Sequence, residues 1–215
     1  MVHITANSPR PLAQILDALQ VKYKWIVSYE DPQFTSQQDI VTVTGAGDTQ
    51  MQLPSGGSFS ADFSAAAPDE EKTLRSMVDS YNHSKNPGRF EVKKTAQGTF
   101  YLVGTAATDD KGHISPQQAV FDLPITVPAE DRTITETLNL ICQEISNHTH
   151  IQVTVGVTPR SLLDHTNVKV GGNAVAARDL LLQSLAEVRT HPYWRLLFDP
   201  NSKGYYLDIH SPRVQ

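Results

Sequence analysis

Along the chain, apolar positions recur in one order of spacings, twice. Leu12, Ile15, Leu16 and Leu19 fall at helical spacing, and so do Ile134, Leu138, Ile141 and Ile145. The run from Arg10 to Leu19 aligns with the run from Arg132 to Ile141. Each has a start signal. Ser8-Pro9 offers a cap followed by a first-turn proline, and Thr133-Ile-Thr-Glu136 has capping-box spacing. A strand-like segment precedes each helix (Val2 to Ala6, Val120 to Val127) and another follows (Trp25 to Tyr29, Ile151 to Val157). In the last of these, Ile151, Val153, Val155 and Val157 alternate with Gln152, Thr154, Gly156 and Thr158, which predicts one buried and one wet face.

The second half of each unit repeats in the same way. Phe59, Ala61 and Phe63 alternate, as do Val168 and Val170. A second amphipathic helix follows in each, on Leu74, Met77, Val78 and Tyr81, then on Leu181, Leu185 and Val188. A hairpin closes each unit. Arg89 to Val92 turns at Gln97-Gly98 into Phe100 to Val103, and Tyr193 to Phe198 turns through Asp199 to Gly204 into Tyr205 to Ile209. The fold class expected is α+β: two tandem β-α-β-β-α-β-β units, each with two helices packed on a small mixed sheet. The first unit spans 1–105, with an inserted loop near 33–58 in which Ile40 to Thr44 is an extra short strand. Residues 106–119 form a linker of small and polar residues, and the second unit spans 120–215.

Composition adds little beyond exclusions. The chain is 39% hydrophobic and 19% charged, an ordinary globular balance. A net charge of −5 supplies no positive field for nucleic acid or anionic lipid. The local basic group of Lys85, Arg89, Lys93 and Lys94, with Glu91 among them, reads as a strand edge carrying lysine against mispairing, with a ligand patch as the alternative. Cys142, the one cysteine, lies on an apolar helix face and belongs to a core. No apolar run approaches the roughly 18 residues of a membrane span. Met1 is followed at once by the strand-like Val2 to Thr5, so no leader is visible.

The pattern resembles the secretin and TonB short N-terminal (STN) domain. That family opens with a phrase of the type F-D-I-P, a helix P-L-x-x-A-L, a V-x-V strand, a helix A-L-x-x-L-L and an aromatic closing hairpin. Here Phe121-Asp-Leu-Pro124, Thr135-Glu-Thr-Leu138, Val168-Lys-Val170, Ala177 to Leu185 and Trp194 to Ile209 carry the likeness, with Pro11 to Leu16 in the first copy. The family's helix-strand turn, T-G-L, is replaced by Lys22-Tyr-Lys-Trp25 and Asn147-His-Thr-His150. The resemblance implies two diverged STN-like copies forming a non-enzymatic, extracytoplasmic protein-interaction module. Its partner would be a protein of the cell envelope or a second copy. Its place would be periplasmic or otherwise exported, with the leader absent from this sequence and a cytoplasmic location left open. Fold alone does not fix function. The alternatives are a small-ligand binder with the 33–58 loop as a lid, and a hydrolase using an interdomain cleft.

Candidate sites are few. Tyr29-Glu30-Asp31-Pro32 is either a cation-binding or partner-docking corner or a plain strand exit in which Asp-Pro starts a turn. A calcium ion would need about six oxygen ligands, more than this corner offers. His148-x-His150 lacks a third ligand and suits a helix C-terminus. Gly45-Ala-Gly47 lacks the third glycine of a dinucleotide loop. Asn82-His-Ser84 and Asn147-His-Thr149 match a glycosylation sequon near helix ends. Among the closing-hairpin aromatics, Tyr101 or one of Tyr205 and Tyr206 is expected at the surface as a docking patch. No catalytic set, metal site or cofactor is expected, and Tyr29, Glu30, Asp31, Tyr101, Tyr205 and Tyr206 are the candidate docking residues.

Overall fold

The computed structural model describes residues 1–64, 66 and 68–212, and the fold is mixed α+β. It falls into two compact units. One comprises residues 1–117 together with Phe198–Ser202; the other comprises 118–197 with the chain from Lys203 onward.

In chain order the first unit carries β1 (Val2–Ala6), α1 (Pro11–Tyr23), β2 (Val27–Glu30), β3 (Ile40–Thr44), β4 (Gln50–Pro54), β5 (Phe59–Phe63), α2 (Glu70–Asn82), β6 (Arg89–Lys94), β7 (Phe100–Thr108) and β8 (Ile114–Pro116). Strand β1 pairs antiparallel with β5, with Ile4 opposite Ala61. Strand β2 runs parallel to β7, with Ser28 opposite Tyr101, and β6 lies antiparallel to β7. Strands β3 and β4 form a separate antiparallel ribbon. Helix α1 starts on Pro11, whose missing N–H costs nothing in a first turn, and buries Leu12, Ile15, Leu16 and Leu19. The start expected at Ser8-Pro9 is therefore shifted; that bond is cis and lies outside the helix. Helix α2 is capped by Asp69, which accepts from the Lys72 N–H at 2.8 Å, and its first turn carries Glu70 and Glu71 against the positive helix end. The core includes an aromatic chain: Tyr29 stacks on Phe90, which meets Tyr81 edge-on, and Tyr81 meets Phe59 edge-on at 5.2 Å.

The second unit carries β9 (Pro124–Thr133), α3 (Ile134–Thr149), β10 (Val153–Val155), α4 (Arg160–Leu163), β11 (Asn167–Ala176), α5 (Ala177–Ala186), β12 (Tyr193–Asp199, its last two residues counted with the first unit) and β13 (Gly204–His210). Strand β9 pairs antiparallel with β11, and β10 runs parallel to β13 with Thr154 opposite Tyr206. The capping box at Thr133 and Glu136 forms as its spacing predicts. Helix α3 ends at His150, which takes the left-handed conformation and donates its N–H to Ser146 O. Phe121 meets Trp194 edge-on at 5.5 Å in the core.

Several expected elements differ. The segment expected as a 106–119 linker is largely a hairpin: β7 continues to Thr108, and β8 returns along it with Ala107 opposite Ser115. Val120–Asp122 is a short 3-10 turn, with the strand displaced to Pro124–Thr133. Within the segment between Gln33 and Ser58 the extra strand expected at Ile40 to Thr44 forms as β3, but Gln50–Pro54, expected as loop, pairs with it as β4 after a 3-10 turn at Ala46–Asp48. That turn is the tip of a ribbon, not the strand-to-helix turn of a dinucleotide site.

Candidate functional site

Tyr29, Glu30 and Asp31 are not an exposed corner. Each is at most 2% exposed. Period-two alternation fails on β2 because all four of its residues are buried. Asp31 accepts from the Tyr29 hydroxyl at 2.7 Å, from Arg10 Nε at 2.6 Å and from the Phe198 N–H at 2.9 Å. Arg10 also donates to Phe198 O at 2.5 Å. The guanidinium thus spans an ion pair and a backbone carbonyl, a fork that lysine could not reproduce. Burial works against the charge on Arg10, but the nearby Asp31 carboxylate outweighs it and holds its pKa above the ordinary value. Burial first, then the charge of Asp31, lifts the Tyr29 hydroxyl well above 10. The arrangement ties the start of α1, the end of β2 and Phe198 near the end of β12 together. It is structural anchoring, not a docking surface.

The remaining candidates divide. Tyr205 is 2% exposed and belongs to the core, whereas Tyr206 is 41% exposed. Tyr101 is half-buried, opposite Ser28 on one side and Lys93 on the other. The sequence expectation of one outward tyrosine on the last hairpin therefore holds for Tyr206. His148 lies in the last turn of α3 and His150 caps it, as a helix C-terminus favours. Among the described residues no group of three or more His, Cys, Asp or Glu is placed to hold a metal ion.

The surface feature with the most unmet capacity is the β3–β4 ribbon, which sequence reasoning found only in part. Val41 stands opposite Leu53 and Val43 opposite Met51, so one face of the ribbon carries four apolar side chains. Val41 and Met51 are exposed, and Val43 and Leu53 half-exposed. The other face carries Thr42 and Thr44 against Gln52 and Gln50. At its base, buried Asp39 accepts from both the N–H and the hydroxyl of Thr108 on β7. Its β4 edge is closed by the Asn201 side chain, which accepts from the Gln52 N–H at 2.8 Å and donates to Gln52 O at 3.0 Å.

Because Gln52 directs its backbone groups away from β3, the opposite residue, Thr42, directs its own away from β4. Ile40 and Thr44, two residues to either side, share that direction. Among the described residues no side chain closes this β3 edge. Edges elsewhere carry side-chain caps on β6 and β10. On β6 the Asn82 amide donates to Phe90 O and accepts from its N–H, and Arg75 donates to Val92 O. On β10 the Ser146 hydroxyl accepts from the Val153 N–H. The edge of β3 has neither a cap nor a charged residue: it reads Ile40-Val-Thr-Val-Thr44. The sequence signal was present in the alternation of Val41 with Val43 and of Met51 with Leu53 about Gly45 to Asp48, but the glutamines between them masked the second strand. No protein-family model matches the chain, and comparison with curated proteins and with solved structures found no match.

Proposed function

We propose that this chain is a non-enzymatic protein-interaction module that docks a protein strand along the open edge of β3, with the apolar ribbon face as the flanking contact. The observation that carries this reading is an uncharged, uncapped strand edge next to four partly exposed apolar side chains, where side-chain amides cap the edges of β4 and β6. Strand addition supplies affinity through main-chain hydrogen bonds, and alternate side chains supply selectivity.

We further propose that the chain is a tandem of two diverged STN-like units. What supports this is the pairing within each unit. A first strand lies antiparallel to a later one in both, β1 with β5 and β9 with β11. The strand after the first helix runs parallel to the last strand of the closing hairpin in both. The registers also match: Val27-Ser28 lies opposite Phe100-Tyr101, and Val153-Thr154 opposite Tyr205-Tyr206. The first helix of each ends on a non-glycine residue in the left-handed region, Lys24 and His150. An exported location and an envelope partner follow from the STN likeness of Phe121 to Pro124 and Ala177 to Leu185. In the second unit Asp122 of the first phrase accepts from Arg178 of the other at 2.9 Å.

The docking reading is tested by a benzophenone side chain at position 51 in the full chain, expressed and irradiated in its native cell. A discrete protein adduct is expected, lost with Thr42→Pro and kept with Thr42→Ser. No adduct from a folded, abundant protein would overturn the reading.

A further inference from the structure

We infer that the occupant of the β3 edge is a second copy of this chain, paired antiparallel about a two-fold axis at Thr42. This rests on the docking reading above and names the partner for that edge. An isologous contact requires that the same strand read sensibly against itself. Strand β3 does. With Thr42 opposite its own copy, Val41 faces Val43 of the second chain, and Ile40 faces Thr44. The residues whose backbone groups point outward, Ile40, Thr42 and Thr44, become the hydrogen-bonded pairs across the axis. The two ribbons then join into four strands, and the row Leu53, Val41, Val43, Met51 crosses the axis unbroken.

Charge agrees with this occupant locally. No residue from Ile40 to Thr44 is ionisable, so a second copy brings no like charge onto the edge. At longer range each copy carries −5, which opposes approach and is screened by salt, so the dimer should tighten as salt rises. A five-residue edge and four apolar side chains per copy fall short of the ~1,000 Å² of a stable interface. The dissociation constant is therefore expected at about 10 μM to 1 mM.

Sedimentation equilibrium of the full chain over that concentration range tests the inference. The average mass should climb from one chain toward two, and further at high salt. Thr42→Pro removes only an outward-pointing N–H, leaving the β3–β4 ladder intact, and proline is tolerated on such an edge. It should weaken association at least tenfold, while Thr42→Ser leaves it unchanged. Should Thr42→Pro disturb the ribbon, as seen by circular dichroism and melting, Val41→Lys places a charge opposite Val43 of the second copy and should weaken association by a similar factor. A wild-type chain that stays at single mass to about 1 mM, or a dimer that neither variant moves, overturns the inference. If the single-mass chain still yields a position-51 adduct of other than doubled mass, self-pairing fails and docking stands. If it yields no adduct, both fail.

Discussion

Replacing Asp31 by alanine should destabilise the first unit by about 3–5 kcal/mol, the cost of breaking a buried ion pair from one side. The figure follows from what the carboxylate holds. Its loss strips the counter-charge from Arg10, whose side chain is only 16% exposed. It also removes this acceptor from the buried Tyr29 hydroxyl and the Phe198 N–H, at about 1 kcal/mol for each hydrogen bond lost. Smaller changes should grade accordingly. Tyr29→Phe removes one donor and keeps Arg10 and Phe198 on Asp31, so about 1 kcal/mol is expected. Asp31→Leu combined with Arg10→Met removes both charges and should be milder than the sum of the two single changes, because neither then leaves a buried ion alone. The assay is native-state hydrogen exchange read on the β2 peptide. It reports the local opening energy and does not require the two units to unfold together. A loss of about 3 kcal/mol appears as roughly hundredfold faster exchange. If Asp31→Ala folds and exchange accelerates less than about fivefold, the cluster is not the anchor described above.

Cys142, buried on α3, has its thiol pushed up to about 12 from an ordinary 9 by burial, so native protein should resist alkylation at pH 8 and react only as it unfolds. Since the folded value is the higher one, its contribution to stability is intact below about 9 and drains away as pH climbs toward about 12; Cys142→Ala should flatten that part of a urea-melt pH series. Gly104 on β7 has no room for a methyl group, since a Cβ there would sit 2.2 Å from Pro32 N. Gly104→Ala should lower the melting temperature sharply or prevent folding, whereas Gly57→Ala, with nothing within 4 Å, should not. Asn82→Ala removes both bonds to Phe90 and should cost about 1–3 kcal/mol, with faster exchange along β6.

The helices were legible because their apolar faces repeat at a period that strands cannot share. Leu12 to Leu19 and Ile134 to Ile145 are both buried stripes. The Asp31 cluster was not legible, because its partners are remote: Arg10 lies 21 positions away and Phe198 lies 167 away. Paired carboxylates usually mark surface, and only a guanidinium delivered by another element lets one go inside. The hairpin at 106–119 was hidden for a different reason. Gly104-Thr-Ala-Ala-Thr108 carries too little side chain to alternate visibly, yet Ala106 and Ala107 are core positions. Tyr206 could be narrowed to one of two residues because the alternation of β13 was clear, while its phase depended on which face the helices cover.

An exposed edge is an aggregation hazard, and proteins usually suppress it with lysine, proline, a bulge or a covering side chain. In this protein the suppressing groups are specific. Asn201 fits the Gln52 backbone from outside, Asn82 does the same for Phe90, and Arg75 covers the next free carbonyl on β6. Each reaches its edge from another element, so the protection is built by the tertiary fold and not by strand composition. Strand β3 lies across the same ribbon from a strand that is capped in this way, and a single amide placed beside Thr42 would close it as well. Such an edge carries a cost in solubility with no return in stability to the isolated chain. Beside the capped edges of β4 and β6 it is left free to pair, and a second strand repeating Ile-Val-Thr-Val-Thr would satisfy every outward donor and acceptor at once.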